Sequence, residues 1–311
     1  MVQIDDVRRA AERVRGRVRR TPTMRAFVPT PDGEVEVVLK LEQTQLSGTF
    51  KDRGMVNALL RAEETGGLPA AGVIIASGGN AGLAVAIAGR TLGVPVTVTT
   101  AQDAPAVKVQ RIRDLGAQVL NHYPDHPTSN VEADALATRT GALRLYAFDH
   151  PEVVAGAGTL LLEAKEQEPE LGAVVVSVGG GGLLAGTLIA ARESGLRTIA
   201  VEPVGAPTLH QALAAGEPVE VTVDTVAKDS LGAAQLGAVP WRVCRDAELE
   251  SVLVTDEAII AAQHYLWDSY RLLVEPSAAC PVAATMTGAY RVAEGELPLF
   301  VLCGANVTSP F

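Results

Sequence analysis

Residues 173–183 read Ala173-Val174-Val175-Val176-Ser177-Val178-Gly179-Gly180-Gly181-Gly182-Leu183. The opening six residues are a nearly unbroken β-branched run, the composition of a strand buried on both faces. From Leu183 the spacing turns helical as far as residue 193, so the four glycines are the turn between strand and helix. The same unit recurs along the chain. Strands are expected at 35–41, 73–76, 94–99, 118–120, 143–146, 173–178, 198–201 and 299–302. Helices are expected at 51–61, 80–92, 106–115, 130–139, 156–167, 183–193 and 256–270. Alternation of this kind predicts an α/β chain, with helices on both faces of mostly parallel sheets in two doubly wound domains. Residues 206–245 mix Gly, Ala and Pro without a clear period, and no internal repeat is present.

In such sheets, ligands collect at the carboxyl ends of the strands, where the loops lead into helices. Gly179 to Gly182 lie there. Four glycines let a backbone approach a ligand with no Cβ in the way, and the helix that follows aims unpaired N–H groups and its positive end into the loop. Phosphate binding fits better than a simple tight turn. No Lys-Ser/Thr follows the glycines and there is no GxGxxG, so neither a nucleoside triphosphate nor a dinucleotide motif is present.

Two further segments carry chemistry. Ser77-Gly78-Gly79-Asn80-Ala81-Gly82 has the same strand-loop-helix placement. Its hydroxyl and amides suit a carboxylate and the Asn80 amide suits a phenolate; the plainer use of Ser77 or Asn80 is as a helix N-cap. Leu46-Ser47-Gly48-Thr49-Phe50-Lys51-Asp52-Arg53-Gly54 brings a lysine out of a small-residue turn into a helix. Most lysines are solvated, but one withdrawn from water loses its proton more readily and attacks carbonyls. Together the three segments supply a nucleophilic amine, a phosphate cradle and a carboxylate pocket. That inventory fits pyridoxal 5′-phosphate held through a lysine and acting on an amino acid.

The remaining features set bounds. The 311 residues are 48% hydrophobic and carry a formal charge of -10, which disfavours nucleic acid and anionic membranes as partners. Cys244, Cys280 and Cys303 form no CxxC and no even framework, so a reduced, cytoplasmic setting is expected. The arginine-rich start includes Asp5, Asp6 and Glu12, and Ile4, Val7, Ala11, Val14 and Val18 recur at helical spacing. It reads as an amphipathic helix ended by Thr21-Pro22, not as a transit peptide. No apolar run approaches the ~20 residues that span a bilayer.

The lysine segment, the Ser77–Gly82 loop and the tetraglycine resemble, in order, the cofactor-lysine, substrate-carboxylate and phosphate segments of the serine/threonine dehydratase family. These are fold-type II pyridoxal-phosphate enzymes, a group that includes serine racemases and the tryptophan synthase β fold. Phe148-Asp149-His150-Pro151, Val201-Glu202-Pro203, Leu273-Val274-Glu275-Pro276 and Leu302-Cys303-Gly304-Ala305-Asn306 follow in the family's order. The resemblance implies a large cofactor domain, residues 1–65 and 148–311, and a small substrate domain, residues 66–147. It implies that Lys51 holds the cofactor and moves the Cα proton, with Phe50 packed near the ring. Asn80 would bond the phenolic oxygen, Gly179, Gly180, Gly181, Gly182 and Leu183 the phosphate, and Cys303 the pyridine nitrogen. Ser77, Gly78, Gly79, Asn80 and Ala81 would take the substrate.

Implied too are a homodimer and the loss of water and then ammonia from L-threonine, L-serine or a related β-hydroxy amino acid. The alternatives are cysteine synthase-like β-replacement and a non-catalytic pyridoxal-phosphate or amino-acid binder. Gly78 stands where racemase-like members carry a second hydroxyl, so racemisation is expected to be weak. Ala81, Ala157 and Ala305 also depart from the family pattern. A structural cation is expected at Glu202 and the Ala206 carbonyl, K⁺ before a divalent ion because Thr208 replaces an aspartate. The other reading of Glu202 is an ordinary strand-end carboxylate. With the last residue at Phe311, no C-terminal regulatory domain is expected.

Overall fold

The computed structural model describes residues 1–307, so the chain end at Phe311 lies outside it. Among the described residues, ten strands fall into two sheets. They are β1 (Thr23–Thr30), β2 (Gly33–Lys40), β3 (Val73–Ala76), β4 (Val96–Ala101), β5 (Gln118–Tyr123), β6 (Leu143–Leu145), β7 (Ala173–Ser177), β8 (Arg197–Pro203), β9 (Glu250–Val254) and β10 (Pro298–Val301). The larger sheet runs β1-β2-β10-β7-β8-β9 and the smaller β5-β4-β3-β6. Every pairing is parallel except the β1–β2 hairpin. The α/β class with mostly parallel sheets is therefore as expected. The chain lays down two strands of the large sheet, builds the small one, and returns.

Twelve helices cover the sheets: α1 (Ile4–Val14), α2 (Lys51–Glu64), α3 (Asn80–Leu92), α4 (Ala106–Asp114), α5 (His126–Thr140), α6 (Pro151–Gln167), α7 (Gly182–Ser194), α8 (Thr208–Ala215), α9 (Lys228–Leu231), α10 (Ala238–Cys244), α11 (Asp256–Tyr270) and α12 (Pro276–Thr287). Strands such as Val174-Val175-Val176 are wholly buried, which explains their lack of polar alternation. One apolar cluster surrounds the larger sheet. A second joins Val73, Ile75, Val96 and Val98 of the smaller sheet to Met55, Val56 and Leu59 of α2 and to Leu83 and Val85 of α3.

Several elements depart from the sequence reading. The first helix stops at Val14, not at Thr21, and two residues on Gly16 turns at φ +73°. Neither β1 nor β9 was expected, because both are edge strands and β1 contains Pro29 and the exposed Phe27. Prolines hid α12: Pro276 opens it, where a missing N–H costs nothing, and Pro281 lies inside it. The unreadable 206–245 region is three short helices joined by turns.

Candidate active site

The backbone before α2 is stitched to the strand-end loop of β10. Phe50 N donates to the Cys303 carbonyl at 2.9 Å, Ala305 N to Gly48 O at 3.0 Å, and Thr49 bridges Gly304. Gly48 allows the tight turn with φ +81°. Lys51 is thereby fixed as the first residue of α2, its ammonium 2.8 Å from the Ala147 carbonyl and 4.8 Å above the centre of the Phe50 ring. Loss of hydration pushes its pKa down to about 8, opposed in part by Cys303 and Glu275 nearby. An appreciable fraction of the amine is therefore unprotonated near neutral pH.

The start of α2 is held from behind. The Asp52 carboxylate accepts from Ser47 N and Ser47 Oγ at 2.7 and 2.8 Å, and Arg53 makes two bonds to the buried Glu42 at 2.7 and 2.8 Å. Glu163 joins Arg53 to the buried Lys40. Breaking one partner of such a buried set strands the other charge, so the network fixes the helix start firmly.

Gly179 to Gly182 link β7 to α7 at the carboxyl edge of the larger sheet. The amides of Gly180, Gly181, Gly182 and Leu183 give no hydrogen bond to any acceptor among the described residues. Gly181 has φ +87°, and a Cβ on Gly180 would overlap the Phe148 ring. An open row of donors at a helix start, where side chains are sterically excluded, could hold a phosphate. The Gly179 carbonyl is tied back by Thr208 Oγ1 at 2.6 Å.

Ser77 to Ala81 lie at the end of β3 and the start of α3. Neither Ser77 nor Asn80 caps the helix: the N-cap is Gly79 and Asn80 is the first helical residue. The Gly78, Asn80 and Ala81 amides have no acceptor among the described residues, as a carboxylate site requires. Asn80 Nδ2 lies 3.0 Å from both oxygens of Glu275, and its Oδ1 accepts from Asn306 Nδ2 at 3.0 Å.

Glu275 is the residue whose role the sequence did not disclose. It is buried and takes only donors: Asn80 Nδ2, Ser277 Oγ at 2.8 Å and Asn306 N at 3.3 Å. Burial raises its pKa and these donors pull it down. The only hint in the sequence is an acid between Val274 and a helix-opening proline. Cys303 is buried beside it, with Sγ 3.6 Å from Ser177 Oγ and 3.5 Å from Ser277 Oγ. Desolvation, with help from Glu275, pushes the thiol up to about 12, so it stays a neutral, weak hydrogen-bonding group.

Glu202 and Ala206 are not part of this cluster. Glu202 accepts from the Leu209 and His210 amides at 2.7 and 2.9 Å, at the start of α8, and lies 3.0 Å from Thr208 Oγ1. The Ala206 carbonyl accepts from Thr208 N. Burial raises Glu202 to about 7. A cation at Glu202 would compete with these donors, and no group of three or more His, Cys, Asp or Glu able to hold a metal occurs among the described residues. Nor is any helix there long and apolar enough to cross a membrane.

Residues 14–304 match the family model described as "Pyridoxal-phosphate dependent enzyme", and the chain belongs to that family. It is 35% identical over 303 residues to an L-threonine ammonia-lyase of Geobacter sulfurreducens, covering 97% of this chain and 75% of that protein. Among solved structures, a threonine deaminase from T.th. superposes with a TM-score of 0.89 at 30% identity, over 99% of both chains. A serine racemase from Dictyostelium discoideum gives 0.89 at 28% identity, again over 99% of both. The fold is thus that of the fold-type II pyridoxal-phosphate enzymes, as the resemblance implied. The cofactor fits the residues present: an amine of lowered pKa, an open row of loop amides and a neutral thiol face the same strand ends.

Proposed function

We propose that this chain is a pyridoxal-phosphate-dependent ammonia-lyase that takes water and then ammonia from L-threonine, L-serine or a related β-hydroxy amino acid, leaving a 2-oxo acid. The observation that carries this reading is that Lys51, Asn80, Cys303 and the open tetraglycine amides lie along the seam between the two sheets, where Asn80 is tied through Glu275 and Ser277 to Cys303. Lys51 would hold the cofactor covalently, Gly179 to Leu183 its phosphate, Asn80 its phenolic oxygen, and Cys303 would face its pyridine nitrogen. When bound, the cofactor supplies an electron sink for negative charge at the substrate Cα.

The protein's own part is positioning and proton transfer. Amides at 78–81, with the Ser77 hydroxyl, receive the substrate carboxylate and so fix which Cα bond faces Lys51. The Lys51 amine, with a pKa of about 8, takes up the Cα proton near neutral pH. A neutral Cys303 withdraws little charge from the ring nitrogen, a bias toward prompt loss of the β-hydroxyl over long-lived charge at Cα. We also propose residues 66–147 as the substrate unit and residues 1–65 with 148–311 as the cofactor unit. All four strands of the smaller sheet lie between Val73 and Leu145, which favours that division. The homodimer and the cytoplasmic setting rest on resemblance and on cysteine usage.

The test is Lys51→Ala, read by 2-oxo acid and ammonia release from L-threonine and L-serine. Loss of more than ~10³-fold is expected, because base and covalent anchor go together. Turnover within tenfold of the unaltered protein would remove Lys51 from the reaction.

A further inference from the structure

Thr100 lies one residue from the carboxyl end of β4, beside the carboxylate loop. The neighbouring Ser77 N donates to the Thr99 carbonyl at 3.0 Å, so the loop is stitched to this strand. Between Thr99 and Ala101 the ladder to β5 slips: Thr99 faces Leu120 but Ala101 faces Tyr123. Irregularities of this kind concentrate next to active sites, where they re-aim a side chain. Thr100 is 3% exposed. Its hydroxyl makes no hydrogen bond among the described residues, whereas Thr99 next to it donates to the Ser129 carbonyl at 2.8 Å. The residue is buried as a whole, but its Oγ1 is not one of the fully enclosed polar atoms that lack a partner, so the oxygen keeps a path by which water or a ligand can reach it.

Its position gives the reason. A Cβ added to Gly78 would overlap Thr100 Oγ1, and would lie 3.1 Å from the Ala104 Cβ. The hydroxyl therefore occupies the space that a side chain at position 78 would take, against amides with no protein acceptor. We propose that Thr100 is a substrate-binding residue whose Oγ1 donates a hydrogen bond to the carboxylate of the amino acid held on the 78–81 amides. Gly78 is then glycine because Thr100 reaches across from the neighbouring strand. The hydroxyl is supplied from β4 instead of from the loop.

This inference rests on the amino-acid lyase reading, and the test separates the two. On the cofactor-loaded protein, kcat and KM for L-threonine are measured with Thr100→Val, which keeps the shape, and Thr100→Ser, which keeps the hydroxyl. Affinity for L-alanine, which has no β-leaving group, is followed through the cofactor absorbance. Thr100→Val is expected to weaken L-alanine binding and to raise KM by about 10- to 100-fold. Thr100→Ser should stay within about threefold, and neither change should alter cofactor affinity or Tm. Equal L-alanine affinity in Thr100→Val and the unaltered protein overturns the proposal, as does a loss in Thr100→Ser as large as in Thr100→Val. If Thr100→Val does not fold, the Thr100→Ser comparison alone decides, since a purely structural role would track the lost methyl. If the unaltered protein binds L-alanine but releases no keto acid, the lyase reading fails while the Thr100 contact stands.

Discussion

Asp52 gives the sharpest physical test of the segment that carries the amine. Its Oδ2 accepts twice from Ser47, but Oδ1 is buried without a partner, and burial raises the carboxyl from its ordinary 3.8 to about 7. The folded chain therefore holds this proton more tightly than the unfolded one. The contribution to stability is full below pH 4, is lost as pH rises toward 7, and is gone above it. About three decades at ~1.4 kcal/mol each make the loss on the order of 4 kcal/mol. In Asp52→Asn the side-chain oxygen keeps both Ser47 donors and the proton-linked loss disappears. An amide left without an acceptor carries a penalty of ~1–3 kcal/mol, but that penalty does not change with pH. Stability of the variant relative to the parent should then climb by ~4 kcal/mol between pH 4 and pH 8. At ~2.1 cal/mol/K of unfolding entropy per residue, the 311 residues shift by about 1.5 °C per kcal/mol, which makes roughly a 6 °C swing in the Tm difference. The assay is thermal unfolding of both cofactor-free proteins at four pH values across that range. Other titrating groups, such as Glu202, are common to both and cancel. A Tm difference constant to within ~2 °C would refute the idea that Asp52 is protonated by burial.

Two further outcomes are expected. Gly180→Ala forces a Cβ into the Phe148 ring, an overpacking cost of ~1–3 kcal/mol borne by the loop; pyridoxal-phosphate affinity, read by fluorescence titration, should fall ~10- to 100-fold. Unchanged affinity would take the phosphate away from this loop. Glu275→Ala leaves Asn80 Nδ2, Ser277 Oγ and Asn306 N without their shared acceptor, so kcat/KM should drop at least ~10-fold. Steady-state rates that match the parent would make Glu275 a bystander.

What could be read in the sequence was whatever a short stretch encodes by itself. Four glycines between a β-branched run and a helix, or a lysine behind Ser-Gly-Thr, announce local geometry: the glycines follow a strand end and the lysine opens a helix, as expected. Glu275 and Asn306 lie 195 and 31 residues from their partners Asn80 and Glu275, and only folding makes them contacts. Thr100 was hidden for another reason. In a strand a threonine is unremarked, and only the slipped ladder and the missing Cβ of Gly78 single out its hydroxyl. Edge strands such as β1, half-exposed and carrying a proline, lack the apolar run that made β7 legible.

The site also explains why its parts come from both sheets. The body of α2 packs in the cluster of the smaller sheet, while the turn that delivers Lys51 is bonded to the loop after β10 in the larger one. Across the same seam Asn80, on α3, meets Glu275 and Asn306. Farther out, Lys108 on α4 pairs with Asp229 on α9 at 2.9 Å. The outer pair is partly solvated and is worth at most ~1 kcal/mol. The inner set is buried and charge-assisted, so separating it leaves unmet donors around a desolvated carboxylate. Glu275, the residue that orients Asn80, is thus also the buried acceptor that ties the two sheets together at the site.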